Sequence, residues 1–217
     1  MSTNHIARIM IVDDHPIVRE GMAVFLNLQP GLDLCCQASS AEEALRAMAA
    51  QAMDLAIIDI SLNGDSGLEL IKELRRLYPA VAILTLSMHD ESVFAERALQ
   101  AGANGYLMKQ EGTANILQAV QTVLSGGTYL STAMAARLQA QPGTSRNTAA
   151  GPLANLSERE FNILHLIGQG YGTREIAEKL GRSVKTIEAH RANIKDKLQL
   201  DSGQDLVRFA IQFLTAD

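Results

Sequence analysis

The chain has 217 residues, of which 47% are hydrophobic and 20% are charged, and its formal net charge is −5. This length allows one large or two modest domains, and the composition is ordinary for a soluble globular protein. No apolar run approaches the roughly 18 residues that a membrane span requires, and no signal peptide opens the chain. We therefore expect a cytoplasmic protein without a membrane partner.

Acidic and basic residues are unevenly distributed along the chain. Residues 1–130 contain 8 Lys and Arg against 15 Asp and Glu, whereas residues 156–217 contain nine of each sign. Within that second part, residues 174–197 hold seven bases against four acids. A local surplus of bases is compatible with an anionic partner, although solvated charged faces are also common.

The first 125 residues alternate short apolar runs with amphipathic stretches. The runs predict strands at residues 7–12, 32–37, 54–59, 81–86 and 104–108. The amphipathic stretches predict helices near residues 16–28, 40–52, 66–77, 90–101 and 112–125. Near-continuous apolar strands that alternate with helices indicate a parallel sheet covered on both faces, so we expect a doubly wound α/β fold.

Local signals mark the starts of several of these helices. Pro16 is suited to a first helical turn, and the segments "SSAEE" and "SGLE" have the Ser-x-x-Glu spacing of a capping box. The adjacent Cys35 and Cys36 lie in the apolar stretch "LDLCCQA". We interpret them as core residues in a reducing compartment, rather than as a disulfide or a metal site.

The second half of the chain begins with a segment that breaks the periodicity. Residues 139–152, "QAQPGTSRNTAAGP", are small and polar with Pro and Gly, which is typical of a linker, and a short helix is predicted before them in "TAMAARL". Ser157 and Glu160 then form a further capping-box pattern, followed by helical patterns at 173–180, 184–198 and 204–214. The predicted organisation is an α/β domain at 1–130, a linker at 131–152 and an all-α four-helix domain at 153–217.

Five polar residues lie at the ends of the predicted strands. Asp13 and Asp14 end the first strand, Asp59 ends the third, Ser87 follows the fourth and Lys109 follows the fifth. Because the carboxyl ends of parallel strands meet at one edge of the sheet, we expect these side chains to share a pocket. Three carboxylates repel one another unless a cation neutralises them, and Mg²⁺ prefers oxygen ligands. The sequence therefore predicts a Mg²⁺ site.

The same residues are suited to phosphoryl chemistry. A carboxylate such as Asp59 can act as a nucleophile towards phosphorus, as in enzymes with aspartyl-phosphate intermediates. The transferred group carries negative charge on its oxygens, which Lys109 and the Ser87 hydroxyl can hold. Taken one at a time, a strand-end Asp is usually a turn residue and a Lys is usually solvated, so the prediction depends on the combination.

The segment "TREIAEKLGRSVKTIEAHRANI" has the layout of a helix-turn-helix, with Gly181 in the turn and Ser183 as the N-cap of the second helix. The residues expected to face inward on that helix are Val184, Ile187, Ile194 and Leu198. The residues expected to face the major groove are Lys185, Glu188, Ala189 and Ala192. Candidate contacts to phosphates come from Lys185, Thr186, His190, Arg191, Lys195 and Lys197, and the further candidate DNA-binding residues are Arg174 and Ser183. His190 has no neighbouring nucleophile, so a catalytic base is disfavoured.

Two groups of motifs resemble known families. "IVDDHPIVREGM", "DISLNGDSGLELI", "LTLSMHDE" and "ALQAGANGYLMK" resemble, in order and spacing, the receiver domain of two-component response regulators. "LSEREFNILHLIGQGYGTREIAEKLGRSVKTIEAHRANIKDKL" resembles the LuxR-type DNA-binding domain of the NarL/FixJ subfamily. The resemblance covers the chain apart from the linker and implies a five-stranded sheet of flavodoxin-like order.

The receiver resemblance implies a role for each residue of the pocket. Asp59 is the expected phosphoacceptor, and its phosphoryl donor is a sensor histidine kinase. Mg²⁺ is expected on Asp13, Asp14, Asp59 and the backbone carbonyl of Ser61. The resemblance makes Ser87 the switch hydroxyl, with Thr85 as the competing candidate, and it makes Tyr106 the aromatic switch residue, whose alternative role is simple packing.

The complete resemblance implies a transcription factor, not an enzyme. Phosphorylation is expected to allow formation of a homodimer on two half-sites of double-stranded DNA. The alternatives are a Mg²⁺-dependent phosphohydrolase and a constitutive DNA-binding protein with the receiver as a dimerisation scaffold.

The sequence departs from the family pattern at several positions. Leu62, Asn63 and Gly64 replace the usual Met-Pro-Gly, and Gln110 replaces a Pro that often follows the lysine. Many relatives have a basic residue where Glu188 and Ala192 stand, so the operator of a typical relative should not be transferred to this chain.

Overall fold

The structure is a computed structural model that describes residues 5–62, 66–88, 91–140, 153 and 156–215. It divides into two compact units, Met1–Pro142 and Gly143–Asp217. Most of the predicted linker lies outside the described residues.

The first unit is a parallel sheet with helices on both faces. Its strands are β1 (Ala7–Val12), β2 (Leu32–Ala38), β3 (Leu55–Asp59), β4 (Ala82–Ser87) and β5 (Gly105–Met108). Its helices are α1 (Pro16–Asn27), α2 (Ala41–Ala50), α3 (Gly67–Leu77), α4 (Glu91–Ala101), α5 (Thr113–Leu124) and α6 (Thr132–Ala140). The five strands are parallel in the order β2-β1-β3-β4-β5, which confirms the predicted doubly wound sheet.

Helix starts in this unit follow the signals in the sequence. Pro16 is the first residue of α1, where its missing N–H removes no helical hydrogen bond. The hydroxyl of Ser40 accepts a hydrogen bond from the Glu43 N–H, and that of Ser66 accepts one from the Glu69 N–H. These caps fix where α2 and α3 begin, and therefore where the loops before them end.

The central strands are buried because helices cover both faces of the sheet. On one face, Ile9, Ile11 and Ile57 pack with Leu26 of α1 and Val120 of α5 in a single hydrophobic cluster. Burial of each such side chain stabilises the fold by roughly 1.5–3 kcal/mol. The polar residues at the ends of these strands are therefore held in place by a rigid, buried sheet.

The edge strand β2 differs from the prediction at its cysteines. Ile9 pairs with Leu34 and Met10 pairs with Cys36, so Cys35 is skipped at a β-bulge. Cys35 is exposed and Cys36 is half-buried, and both are free thiols. The prediction of core positions was wrong, because an apolar run does not reveal which strand lies at the edge of the sheet or where its register shifts.

The chain returns to the sheet after α5. Tyr129 lies beside β5, where its carbonyl accepts the Tyr106 N–H at 2.9 Å and its own N–H donates to Asn104 at 3.1 Å. Helix α6 follows directly, within the predicted linker, and covers the position at which the sequence predicts a short helix.

The helices of the second unit, within its described residues, are α7 (Glu158–Gly168), α8 (Thr173–Lys179), α9 (Val184–Leu198) and α10 (Gly203–Thr215). The predicted capping box is confirmed, since Ser157 and Glu160 exchange side-chain to backbone hydrogen bonds at the start of α7. Phe161 of α7 and Phe213 of α10 meet edge to face at 5.5 Å. Among the residues that the structure describes, no helix combines the length and the apolar character needed to cross a bilayer.

Candidate functional site

The carboxyl ends of β1, β3 and β5 bring three predicted residues together. The ammonium of Lys109 lies 2.6 Å from Asp13 Oδ2 and 2.6 Å from Asp59 Oδ2. All three side chains are almost completely buried, with exposed fractions of 8% for Lys109, 1% for Asp13 and 3% for Asp59. A buried ammonium is therefore shared between two buried carboxylates.

Burial and charge together set the protonation of this group. Burial raises the pKa of Asp59 from 3.8 to about 6, and the nearby Lys109 ammonium limits the rise. For Lys109, burial lowers the pKa, but the Asp59 and Asp13 carboxylates outweigh it and raise the pKa above its ordinary value. At neutral pH, Asp59 is thus mainly an ionised carboxylate that carries little hydration, which favours nucleophilic attack.

His15 is a member of the pocket that the sequence prediction missed. Its Nδ1 lies 2.8 Å from Asp14 Oδ1 and 3.1 Å from Asp13 Oδ1, and its backbone N–H donates to Asp13 Oδ1 at 2.9 Å. His15 is the N-cap residue of α1, so the turn into that helix directs it back over the two carboxylates. Its place directly after the Asp pair was the available signal.

The donor set fits a divalent cation. Asp13, Asp14, Asp59 and His15 each offer one ligand atom, and these atoms all lie within 4.8 Å of one another. Lys109 brings one positive charge to three carboxylates, so negative charge remains in the pocket. Carboxylate oxygens are the ligands that hard divalent cations prefer, and imidazole nitrogen is a ligand for softer divalent metals.

The loop after β3 holds the second oxygen of Asp59. The Ser61 N–H donates to Asp59 Oδ1 at 3.1 Å, which directs this oxygen along the loop. Leu62 is fully buried, whereas Asn63 and Gly64 lie outside the described residues. Gly67, the first residue of α3, is pressed against the strand end, because a Cβ there would lie 2.1 Å from the Asp59 carbonyl oxygen. The sequence prediction missed this glycine.

The two candidate hydroxyls lie at different levels of β4. Thr85 is paired with Ile58 inside the sheet, and within the described residues its Oγ1 has no hydrogen-bond partner. Ser87 is the last residue of the strand, and its carbonyl accepts the Lys109 N–H at 2.7 Å. Ser87 thus lies beside the lysine at the edge where the pocket forms. Tyr106, fully buried, is paired with Thr85 across β4 and β5.

The helix-turn-helix has the predicted turn and cap. Helix α8 ends before Gly181, whose φ of 60° is the left-handed conformation expected there. The hydroxyl of Ser183 accepts the Thr186 N–H at 3.1 Å at the start of α9, which confirms the predicted N-cap. The turn therefore presents the first residues of α9 to solvent.

Most of the predicted DNA-contacting residues are accessible on these helices. The exposed ones are Arg174, Ser183, Lys185, Glu188, Ala189, Ala192 and Lys197. The half-buried ones are Thr186, His190, Arg191 and Lys195. Ile187, Ile194 and Leu198 are buried as predicted, but Val184 is 38% exposed and that prediction was wrong. Val184 occupies the first turn of α9, one turn before the inward stripe reaches the core.

Lys197 has a contact inside the helical unit. Its ammonium lies 2.6 Å from Glu160 Oε2, a carboxylate whose side chain is 4% exposed. Burial raises the Glu160 pKa, but the hydrogen bonds from Lys197 and Ser157 outweigh it and hold this pKa below its ordinary value. Lys197 thus ties α9 to α7, a structural role that the sequence prediction did not foresee.

Comparison with known proteins agrees with this geometry. Residues 9–121 match the family model "Response regulator receiver domain", and residues 154–210 match "Bacterial regulatory proteins, luxR family". The oxygen regulatory protein NreC of Staphylococcus carnosus is 37% identical over 210 residues, which cover 94% of this chain and 97% of the relative.

Solved structures give the same result. A two-component response regulator of the LuxR family from Aurantimonas sp. SI85-9A1 matches with a TM-score of 0.58 and 37% identity, over 62% of this chain and 99% of that chain. The RcsB response regulator of Salmonella typhimurium matches with a TM-score of 0.58 and 25% identity, over 95% of this chain and 98% of that chain. The chain therefore belongs to the NarL/FixJ family of two-component response regulators, transcription factors that join a receiver domain to a LuxR-type helix-turn-helix DNA-binding domain.

Proposed function

We propose that Asp59 accepts a phosphoryl group from a sensor histidine kinase and that this modification controls DNA binding by the helical domain. The observation that carries the proposal is the buried Lys109 ammonium, 2.6 Å from both Asp13 and Asp59 at the carboxyl edge of the sheet. In the transfer, an Asp59 oxygen forms a bond to phosphorus as the bond between phosphorus and the kinase histidine nitrogen breaks.

The neighbouring groups hold the charge that arrives with the phosphoryl group. Ser61 donates its N–H to one Asp59 oxygen, and Lys109 donates to the other. Asp13, Asp14, Asp59 and the backbone carbonyl of Ser61 are the proposed ligands of Mg²⁺. When bound, this ion supplies positive charge that offsets the phosphoryl oxygens. The Ser87 hydroxyl, beside Lys109, is the proposed third partner of those oxygens.

The response of the receiver is proposed to begin at Ser87. Movement of Ser87 towards the modified Asp59 leaves space that Tyr106 fills, and the surface formed by α4 and α5 changes. A phosphoryl group shifts such an equilibrium only as far as it stabilises one state over the other. Residues 1–130 act as the receiver, 131–152 as the linker and 153–217 as the DNA-binding domain in this proposal.

DNA binding is proposed for the exposed side of α9. Lys185, Glu188, Ala189 and Ala192, which are exposed, are proposed to meet base edges. The residues proposed to meet phosphates are Lys185, Thr186, His190, Arg191, Lys195 and Lys197, with Arg174 and Ser183 as further DNA contacts. The RcsB response regulator, whose structure is similar, interacts with DNA, and this supports a DNA-binding role for α9. The bound form is proposed to be a homodimer that contacts two half-sites, with α10 in the dimer interface. Because bacterial DNA lies in the cytoplasm, we place the protein there.

The test of the phosphoacceptor uses the full chain with Mg²⁺ and acetyl phosphate. Wild-type protein should gain a phosphoryl group on the peptide that contains residue 59, and Asp59→Asn should gain none. Asp201→Asn, an exposed acid of the helical unit, is the matched control and should accept phosphate as the wild type does. Phosphate on the Asp59→Asn protein would refute the assignment, and DNA footprints that do not change on phosphorylation would refute the control of DNA binding.

A further inference from the structure

Glu91 is a buried carboxylate that the proposed phosphoryl transfer does not use. It lies in the first turn of α4, four residues after Ser87, and only 9% of it is exposed. A buried carboxylate is costly unless hydrogen-bond donors compensate it. Glu91 Oε1 accepts the backbone N–H of Ser131 at 2.8 Å, so its partner comes from the segment after α5.

Ser131 directly precedes α6 and caps its first turn. Its hydroxyl accepts the Met134 N–H at 3.1 Å, and its carbonyl accepts the Ala135 N–H at 2.9 Å. The Glu91 carboxylate therefore lies at the positive end of the α6 dipole, where a negative charge is favourable. Met134 is 4% exposed and provides the apolar anchor of the same helix.

The segment just before Ser131 is hydrogen-bonded to β5. The Tyr129 carbonyl accepts the N–H of Tyr106, the proposed aromatic switch residue, at 2.9 Å. The start of α6 is thus hydrogen-bonded both to β5 and to the first turn of α4. Helix α6 has nine residues, which is too short for a stable isolated helix in water, so its order depends on these attachments.

We propose that Glu91 fastens α6 to α4 in the unphosphorylated receiver and that rearrangement of α4 on phosphorylation releases α6. The inference rests on the proposed function of Asp59, because it names the path by which that site acts on the chain beyond the receiver. Release also lengthens the connection: nine residues span about 14 Å as a helix and about 30 Å when extended. The chain beyond α6 then gains freedom to reach a second copy on DNA.

Hydrogen–deuterium exchange of the full chain, followed by mass spectrometry on the peptides of α6, tests this inference. In wild-type protein, exchange in α6 should become about tenfold faster after treatment with acetyl phosphate and Mg²⁺, because a hydrogen bond to a buried charge is lost. In Glu91→Ala, exchange in α6 should already be fast without acetyl phosphate and should change little on its addition.

The matched control is Glu96→Ala. Glu96 lies on the same helix, and its carboxylate accepts a hydrogen bond from Gln100 within α4. Exchange in α6 of this variant should follow the wild type in both conditions. Wild-type protection of α6 in Glu91→Ala, or unchanged protection after confirmed phosphorylation of the wild type, would overturn the inference.

Two further outcomes, misfolding of Glu91→Ala and failure of Asp59 to accept phosphate, also have a defined interpretation. If amide exchange in Glu91→Ala is fast throughout the sheet, the variant has not folded and Glu91→Gln is used in its place. The Gln carboxamide keeps a hydrogen-bond acceptor but removes the negative charge at the start of α6. Exchange in α6 of Glu91→Gln should be about threefold faster than in the wild type, and no difference would count against the inference. If Asp59 takes no phosphate, the proposed function fails, while comparison of the unphosphorylated variants still tests the contact between Glu91 and α6.

Discussion

Single residues set the charge balance of the receiver pocket. Lys109 supplies the ammonium that two buried carboxylates share, and this arrangement forms because β1, β3 and β5 end at one edge. Removal of one partner from a buried ion pair leaves an uncompensated charge, which is far more costly than loss of a surface pair.

Lys109→Met is therefore expected to lower the free energy of unfolding by about 3–5 kcal/mol at about pH 8 in a chelator. Mg²⁺ should restore part of this loss, because it supplies the missing positive charge to the same carboxylates. Urea denaturation measures both effects. The control is Lys72→Met, which removes an exposed pair with Glu69 and should cost less than about 1 kcal/mol. Equal losses in the two variants would contradict the buried ion pair.

Glu160 gives the helical unit a dependence on pH. Its pKa is lower in the folded protein than in the unfolded chain, so its contribution to stability is present above the ordinary Glu pKa and is lost as the pH falls through the folded value. Glu160→Gln should destabilise the helical unit at about pH 7, and the difference from the wild type should shrink towards about pH 3. Circular dichroism of urea unfolding at several pH values measures this, and a difference that is constant with pH would count against it.

At the scale of elements, the junction between β3 and α3 is the tightest that we observe near the pocket. Gly67 begins α3 directly against the Asp59 carbonyl, so the strand end and the helix start have no space for a side chain between them. The backbone position of Asp59 therefore depends on Gly67, a residue without a side chain.

Gly67→Ala should destabilise the receiver by more than about 2 kcal/mol and slow phosphorylation of Asp59, since the added Cβ collides with backbone. Thermal unfolding and the rate of phosphate uptake from acetyl phosphate measure the two effects. Gly21→Ala is the matched control: Gly21 lies in α1 with nothing within 4 Å of its added Cβ, so this change should stabilise the helix by up to about 1 kcal/mol. Similar behaviour of the two variants would refute the tight junction.

Strands and helix starts were predictable from the sequence where their signals, apolar runs and capping residues, depend on residues close in the chain. The apolar runs located β1 and β3, and Ser-x-x-Glu spacing located the starts of α2 and α3, because both signals depend on neighbours in the chain. Cys35 was misplaced because register shifts arise between strands, and Val184 because periodicity does not show where packing against other helices begins. The contact of Glu91 with Ser131 joins residues 40 positions apart, and no local pattern indicates it.

At the scale of the whole molecule, the chain consists of two compact units, Met1–Pro142 and Gly143–Asp217. Each has its own buried core, the first built on the sheet and the second on residues such as Ile163, Ile194 and Leu206. Units with separate cores can unfold separately.

Calorimetry of the full chain should accordingly show two unfolding transitions. Addition of Mg²⁺ should raise the temperature of the transition that belongs to the receiver, because the ion binds that folded unit, and should leave the other unchanged. Asp14→Asn should abolish the shift without moving the second transition. A single cooperative transition that Mg²⁺ shifts as a whole would contradict this expectation.

The return of Tyr129 to the sheet has a consequence for self-association. An edge strand with unpaired N–H and C=O groups is a template for pairing with other chains. Tyr129 occupies the Tyr106 N–H and the Asn104 carbonyl beside β5, and the bulge at Cys35 distorts β2 at the opposite edge. Both edges of the sheet therefore disfavour pairing with a strand of another molecule, so contacts between copies are expected to involve helices. Concentrated protein should accordingly resist fibrous aggregation.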